Sequence, residues 1–339
     1  MKSNEIDSDL ILNYKIFSMK EKLNRLNYVP KIKPEVAPFW HTFNPIILSK
    51  WLISYLWPWN TFHIFVTIFY MKFVLPDISV MQSISWDWVL WLYFVNGCGI
   101  FLLYGFIELF YYYLRIQNIR FKYNSKFPSD MRSKFFWFKS QNLDNFLRTY
   151  MFGISIWTFI QVIVLWTYAN SWGNWISWNE NKIYLLILIF IVPAIHEIHF
   201  YCIHRLIHTP WLYKHIHSVH HKSINPSPWS SLSMHPIEHI LYFGEIFWHL
   251  LIPSNPFVAL FNLHIVGYGA VNGHIGFDKL EMGKKLSINS HAFLHSLHHK
   301  HFEVNYGADW LIPLDKWFGT WHDGTIEADK LMKARLKKN

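Results

Sequence analysis

Charge is scarce in this chain and cysteine is nearly absent. Asp, Glu, Lys and Arg make up 16% of its 339 residues, against about 25% in an average soluble domain, so a surface facing water on all sides is not expected. The two cysteines, Cys98 and Cys202, both lie in apolar context, which excludes a disulfide framework and places Cys202 in the core. The first 20 residues, with Glu5, Asp7 and Asp9, lack a basic start followed by an apolar stretch, so no signal peptide is expected. Internal repeats and low-complexity tracts are missing as well. The net charge of +9 does not form a nucleic-acid-binding face, because Lys and Arg sit in segments that flank apolar runs.

What remains is apolar and aromatic. Hydrophobic residues reach 52%, with 19 Trp, 18 Tyr and 29 Phe, and amphipathic rings collect at membrane interfaces. Four runs approach or meet the ~20 residues needed to cross ~30 Å of hydrocarbon: 57–75, 88–114, 151–170 and 183–203. Loop charge sets their direction. The 115–150 loop holds Arg115, Arg120, Lys122, Lys126, Arg132, Lys134, Lys139 and Arg148, whereas 76–87 and 171–182 share one Lys, Lys182. The positive-inside rule therefore puts the N-terminus, the 115–150 loop and the end of the fourth span in the cytosol, with the Trp-rich 172–178 loop on the opposite side. Two shorter apolar stretches, 237–252 and 257–272, split by Pro253 and Pro256, fit a re-entrant or interfacial hairpin at about 15 residues each. The expected fold is an all-α membrane protein: about four transmembrane helices, this short helical hairpin and a cytosolic helical cap. The corresponding divisions are a cytosolic segment 1–56, spans and loops over 57–182, a domain over 183–322 that bears most of the histidines, and a basic tail over 323–339.

Histidine is concentrated. Only His41 and His63 precede His196, and the stretch 196–221 alone carries eight of the 21. His204 and His208 are four apart, and His217, His220 and His221 fall at i, i+3 and i+4. His295, His298 and His299 repeat that spacing, so each box presents its rings on one side of a helix. Neutral imidazole is a common ligand for Fe, Zn and Cu. A structural zinc takes four ligands and normally uses cysteine among them. Eight boxed histidines exceed that and fit two metal ions held close together. Left unligated, eight buried imidazoles would each keep a polar nitrogen in need of a partner.

In the text HRLIH at 204–208, HSVHH at 217–221 and HSLHH at 295–299, the chain resembles the fatty acid hydroxylase/sterol desaturase superfamily of membrane non-haem di-iron oxygenases. The tract NPSPW, then SMHP at 233–236 and NYG at 305–307, looks most like the C-5 sterol desaturase branch. The resemblance spans roughly 183–320. It implies a centre of two irons (zinc can replace them in purified protein) that uses O2 to hydroxylate or desaturate a lipid, a sterol first, otherwise a fatty acyl chain, sphingolipid or alkylglycerol. It implies His204, His208, His217, His220, His221, His295, His298 and His299 as ligands, with His274 as a further one. His235 is implied as ligand or supporting residue; His239 and His291 fit less well and are expected in supporting or surface positions. The sequence contains no His-Pro-Gly-Gly haem motif and no GxGxxG, so electrons are expected from a separate donor such as cytochrome b5 with its reductase, docking on the basic cytosolic loops. The location implied is the endoplasmic reticulum in a eukaryote or the inner membrane in a bacterium, with the active site cytosolic.

Several residues carry weaker signals. His196 and Glu197 end the fourth span, and Glu197, Asp278, Asp309 and Asp315 are expected to orient ligand histidines through hydrogen bonds. His249 and His264 read as packing histidines. A His-rich metal transporter would spread ionisable residues through several spans, and a zinc-stabilised scaffold would have closed sites without an adjoining lipid cavity. The oxygenase reading instead expects the stretches 237–252 and 257–272 to wall an apolar tunnel beside the metals.

Overall fold

The described part of the computed structural model, residues 27–31, 35–130, 132–283, 286–307 and 311–337, enters its apolar region through two short helices. Pro45–Tyr55 (α1) is started by Asn44, whose side chain accepts the Ile46 and Ile47 N–H groups, with Pro45 in the first turn. Thr61–Phe69 (α2) follows after a kink at Trp57, which is extended (φ −115°, ψ 137°) because it precedes Pro58. With the wide turn Tyr70–Val74, α2 is about 21 Å long. It is thus a shorter element than the sequence suggested for 57–75.

Three helices among the described residues are long and apolar enough to cross a membrane: Trp86–Tyr113 (α3), Gln141–Ala169 (α4) and Lys182–Ile207 (α5). Apolar side chains such as Leu90, Phe94 and Leu102 on α3 and Ile183, Leu186 and Ile187 on α5 are exposed on their outer faces, as lipid-facing residues would be. Cys202 is also exposed, on α5, and not in the core as expected. Helix α4 begins ten residues before the apolar run at 151. Its polar first turns QNLDNFLR are started by Ser140, which accepts the Leu143 N–H, and they extend the helix out of the bundle.

Beyond α5 the chain turns through short helical segments over 210–221 and reaches a hairpin. Its first arm begins at Pro236–Phe243 (α6) and runs on to Leu251; its second is Pro256–Gly269 (α7). The hairpin packs inside the helix bundle. Helix α7 is buried at nearly every position from Pro256 to Tyr268, packed against α2, α4, α5 and α6. Its tip reaches the far end of the bundle: the Ser254 N–H donates to the Asn174 carbonyl at 2.9 Å and the Tyr184 hydroxyl to the Pro253 carbonyl at 2.8 Å. That end also holds the start of α3, since Trp166 and Asn170 of α4 both donate to the Gln82 carbonyl. The opposite end gathers the 114–140 loop and the histidine-bearing segments, through Tyr123 N–H to Gly276 O at 3.1 Å and Gln141 to Asn225 O at 2.8 Å. The basic loop and the boxes therefore share one end, as the loop charges implied.

The fold is not wholly α-helical. Lys279–Glu281 (β1) and Ser287–Asn289 (β2) form an antiparallel ribbon in the register Lys279↔Asn289. After it come Phe293–His301 (α8), which carries the last box, and Ile326–Leu336 (α9). The basic C-terminal segment is docked on the cap: the Arg335 guanidinium donates to the carbonyls of Glu303 and Gly319.

Close packing of α7 rests on small residues. A methyl group added at Gly267 would meet the Trp157 ring at 2.5 Å, while one added at Gly244 would meet nothing within 4 Å. Gly267→Ala is expected to destabilise the solubilised protein by about 1–3 kcal/mol through overpacking and Gly244→Ala to be close to neutral, as read by thermal unfolding in detergent.

Candidate metal centre

All nine histidines singled out as ligands are buried and converge at the end of α5. Their side-chain nitrogens form two groups, each with ligand atoms within 4.8 Å of one another: His204, His208, His217, His221 and His298 in one, His220, His274, His295 and His299 in the other. Helical geometry explains this division. Positions i and i+4 differ by about 40° around a helix and i+3 by about −60°. In the second box His217 and His221 thus face one group and His220 the other. In the last box His295 and His299 face the second group and His298 the first. The groups abut, with the rings of His295 and His298 5.5 Å apart and those of His221 and His299 4.9 Å apart.

Partners on the outer nitrogens fix which nitrogen faces inward. The Nδ1 of His204 lies 2.6 Å from the Tyr306 carbonyl and that of His298 2.7 Å from the Val304 carbonyl. The His274 Nδ1 is 3.0 Å from Ala270 O, the His220 Nδ1 3.4 Å from Ser233 O, and the His217 Nδ1 2.8 Å from Glu238 Oε1. Oxygen acceptors assign the proton to Nδ1 and leave Nε2 a bare lone pair. Yet His204 Nε2 and His217 Nε2 are 3.1 Å apart in one group, and His274 Nε2 and His220 Nε2 3.1 Å apart in the other. Neither contact can be a hydrogen bond between neutral rings of that tautomer. Lone pairs aimed at one another in a buried space fit a cation between them, once in each group.

Burial, the leading cause, pushes His217, His221, His295, His298 and His299 well below the ordinary imidazole value, and His220 down to about 4. The rings are neutral near pH 7, the form that ligates metal.

A third group, His301, His322 and Asp329, is different. The His322 Nδ1 accepts the Gly324 N–H at 3.1 Å, so its Nε2 carries the proton and donates to Asp329 Oδ1 at 3.0 Å. This pair fastens α9 to the cap, and the His322 imidazole keeps no lone pair for a metal.

The supporting residues differ from expectation in instructive ways. The Glu197 carboxylate accepts the Leu311 and Ile312 N–H groups, holding a cap segment instead of a ligand ring. Asp315 accepts the Tyr306 and Gly307 N–H groups and so positions the carbonyl that receives His204. Asp278 accepts the Tyr28 and Tyr123 hydroxyls, and Asp309 lies outside the described residues. His235 accepts the Ile237 N–H and starts α6; His239 is buried against the Leu232 carbonyl. Neither joins a cluster, and nor does His291, which lines the cavity below. His249 bonds Ser254 and Asn262, and His264 bonds Thr67, as packing histidines. Glu238, the carboxylate that touches a clustered histidine, was not anticipated; its proximity to the boxes in sequence was the available signal.

A cavity of about 220 Å³ opens against both groups, lined by His204 and His217 of the first and His220, His274 and His295 of the second. Phe200 and Ile203 of α5, Tyr242 of α6 and Ile265 of α7 form its walls, as expected for the hairpin and the fourth apolar run. Ser54, Tyr55, Trp59 and His63, from the kinked N-terminal pair, add a side that the sequence did not announce.

With this geometry in place, the model of the fatty acid hydroxylase family matches residues 189–320. That stretch of the chain is similar to the fatty acid hydroxylase family. The chain is 29% identical over 174 residues to a Delta(7)-sterol 5(6)-desaturase of Gibberella zeae, covering 50% of each chain. It is 28% identical over 214 residues to another such desaturase of Aspergillus fumigatus, covering 52% of this chain and 65% of that one. A fatty acid hydroxylase of Mycosarcoma maydis is 31% identical over 148 residues, 42% of this chain and 37% of that one. The chain spans about half the length of the curated relatives it matches. No solved structure matches.

Two outcomes follow for the histidine centre. Glu238→Gln should weaken metal binding about 10–100-fold by loosening His217, as read by competition with a chelator. The metal-free chain should lose stability as pH falls from about 6.5 toward 4. Its folded-state imidazole pKa values lie below the unfolded value of about 6.5, so protons favour the unfolded form. Thermal unfolding of chelator-treated protein between pH 7.5 and 5 measures that slope.

Proposed function

We propose that the chain is a membrane oxygenase that holds two irons on its nine clustered histidines and uses O2 to introduce a double bond, or a hydroxyl group, into a lipid, in the first place a sterol. The observation that carries this reading is the convergence of nine buried imidazoles, their inward lone pairs facing one another, beside an apolar cavity bounded by the membrane helices. Irons bound there would supply dioxygen activation and the removal of hydrogen from an unactivated C–H bond. The chain's own residues do the rest. His204 and His298 are locked by backbone carbonyls of the 304–306 segment, His217 by Glu238, and Phe200, Ile203 and Ile265 keep the approach to the centre dry. A scaffold or transport role does not account for that cavity.

The similarity to two sterol desaturases favours desaturation next to the ring junction of a sterol; the similarity to a fatty acid hydroxylase supports acyl hydroxylation as the second reading. Electrons would come from a separate donor, of the cytochrome b5 kind, at the cap end. Of the eight cations of the 115–150 segment, Lys122 is buried and Arg115, Arg120 and Arg148 are paired with Asp130, Glu281 and Asp144. Lys126, Arg132, Lys134 and Lys139 remain exposed to meet an acidic partner. The end bearing these cations is the cytosolic one, in the endoplasmic reticulum of a eukaryotic cell.

Expression in a yeast strain deleted for its own sterol C-5 desaturation tests the proposal. Total lipids analysed by mass spectrometry should regain a C5–C6 double bond in the sterols with the native chain and not with His298→Ala. Hydroxylated acyl chains without a change in sterols would move the assignment to the second reading.

A further inference from the structure

His63 stands apart from every other described histidine. It is 2% exposed, and both its ring nitrogens are buried without a hydrogen-bond partner. Histidines of comparable depth are satisfied on at least one side: His264 Nδ1 meets the Thr67 hydroxyl at 2.8 Å, His249 meets Ser254 and Asn262, and His239 meets the Leu232 carbonyl at 3.1 Å. His63 instead lines the cavity that opens on the metal centre. Gly269 makes room for it, since a methyl group there would lie 3.3 Å from the His63 Cε1. Asn272, one helical turn further along the same chain segment, also lines the cavity and presents a buried, unpartnered Oδ1. An imidazole and an amide offer both a donor and an acceptor in neutral form.

The charge of the lining narrows what they can hold. The cavity has no Lys or Arg among its described lining residues, and it includes Glu197 and Glu238. No cationic side chain among the described lining residues could pair with a carboxylate or phosphate placed beside His63. A hydroxyl can accept from the protonated ring nitrogen or donate to the bare one, and it leaves no charge behind.

We propose that His63, with Asn272 lining the same cavity, anchors a neutral hydroxyl group of the lipid substrate and thereby sets which carbon faces the metals. The proposal rests on the cavity being the lipid site of the oxygenase. It places the substrate's polar end inside the protein, a short distance from the carbon that reacts, and makes the enzyme selective for alcohols over anionic lipids. His63 is then a positioning residue.

Binding to the full chain in lipid nanodiscs tests this without turnover, using dehydroergosterol and its 3-O-methyl ether as fluorescent probes. The native protein should bind the free alcohol about tenfold more tightly than the ether. His63→Leu should bind both alike at unchanged metal content, and His63→Gln should keep the preference. Gly269→Ala, which presses on the ring, should reduce the preference should His63→Leu fail to retain metal. Equal binding of alcohol and ether by the native chain, an undiminished preference in both His63→Leu and Gly269→Ala, or tighter capture of a fatty acid anion than of the matching fatty alcohol would overturn the anchor. If dehydroergosterol does not bind but a long-chain fatty alcohol shows the same preference over its ether, lost in His63→Leu, the sterol reading falls and the anchor stands.

Discussion

Everything in this structure is arranged around imidazole nitrogens that face one another with no proton between them. Where two such lone pairs approach to 3.1 Å in each cluster, the site is unfavourable unless a cation sits among them. A buried polar group without a partner costs about 1–3 kcal/mol, and the five lone pairs assigned by their Nδ1 acceptors together rival the 5–15 kcal/mol that stabilises an ordinary domain. The cap therefore has to be held in shape by other contacts. Much of that hold comes through the outer nitrogens, which reach carbonyls of Tyr306, Val304, Ala270 and Ser233 and the Glu238 carboxylate. These acceptors are in turn fixed, Tyr306 by Asp315 and the following segment by Glu197. The carboxylates first expected on ligand rings thus act one step further out, by setting the backbone that sets the rings.

The membrane helices supply what the cap cannot. Helix α5 carries His204 on its last turn, so the first box is rigidly placed at the end of the bundle. The α6–α7 arms return from the far loop to deliver His274 to the second cluster. Because α7 is buried nearly all round, that delivery is independent of the surrounding lipid. Its cost is close packing, met by Gly267 against Trp157 and by Gly269 against His63.

The sequence made the site more legible than the fold. Spacings of i, i+3 and i+4 occur in two boxes and i, i+4 in a third, and helical geometry alone divides them as found. Composition also revealed the long apolar helices, but their ends were obscured. The polar turns Gln141–Arg148 belong to α4 because Gln141 and Asn145 bond Asn225 and Ser223 of the cap, a tertiary reason invisible in a hydropathy pattern. The hairpin read as re-entrant or interfacial because its arms are short, and neighbours on all sides of α7 let a short helix lie deep. Cys202 looked like core only because lipid-facing and core residues are equally apolar in sequence. The β1–β2 ribbon, three residues a side, falls below any periodic signal. The cavity side formed by Ser54, Tyr55, Trp59 and His63 depends on a contact between distant segments.

The ligand set itself has an electrostatic consequence. Nine neutral imidazoles bring no negative charge, so two divalent ions would arrive in a buried site with little compensation. Glu238 is the carboxylate hydrogen-bonded to a clustered histidine, through His217 at 2.8 Å. Burial pushes its carboxyl well above the ordinary range, whereas a cation on the far side of His217 pulls the other way, toward the carboxylate. The proton between His217 and Glu238 is then the point at which metal charge and protein charge are balanced. A shell this neutral would favour the less charged state of any ion it held. The described lining of the adjoining cavity likewise holds no Lys or Arg, so no side chain there would add to the positive charge of bound ions.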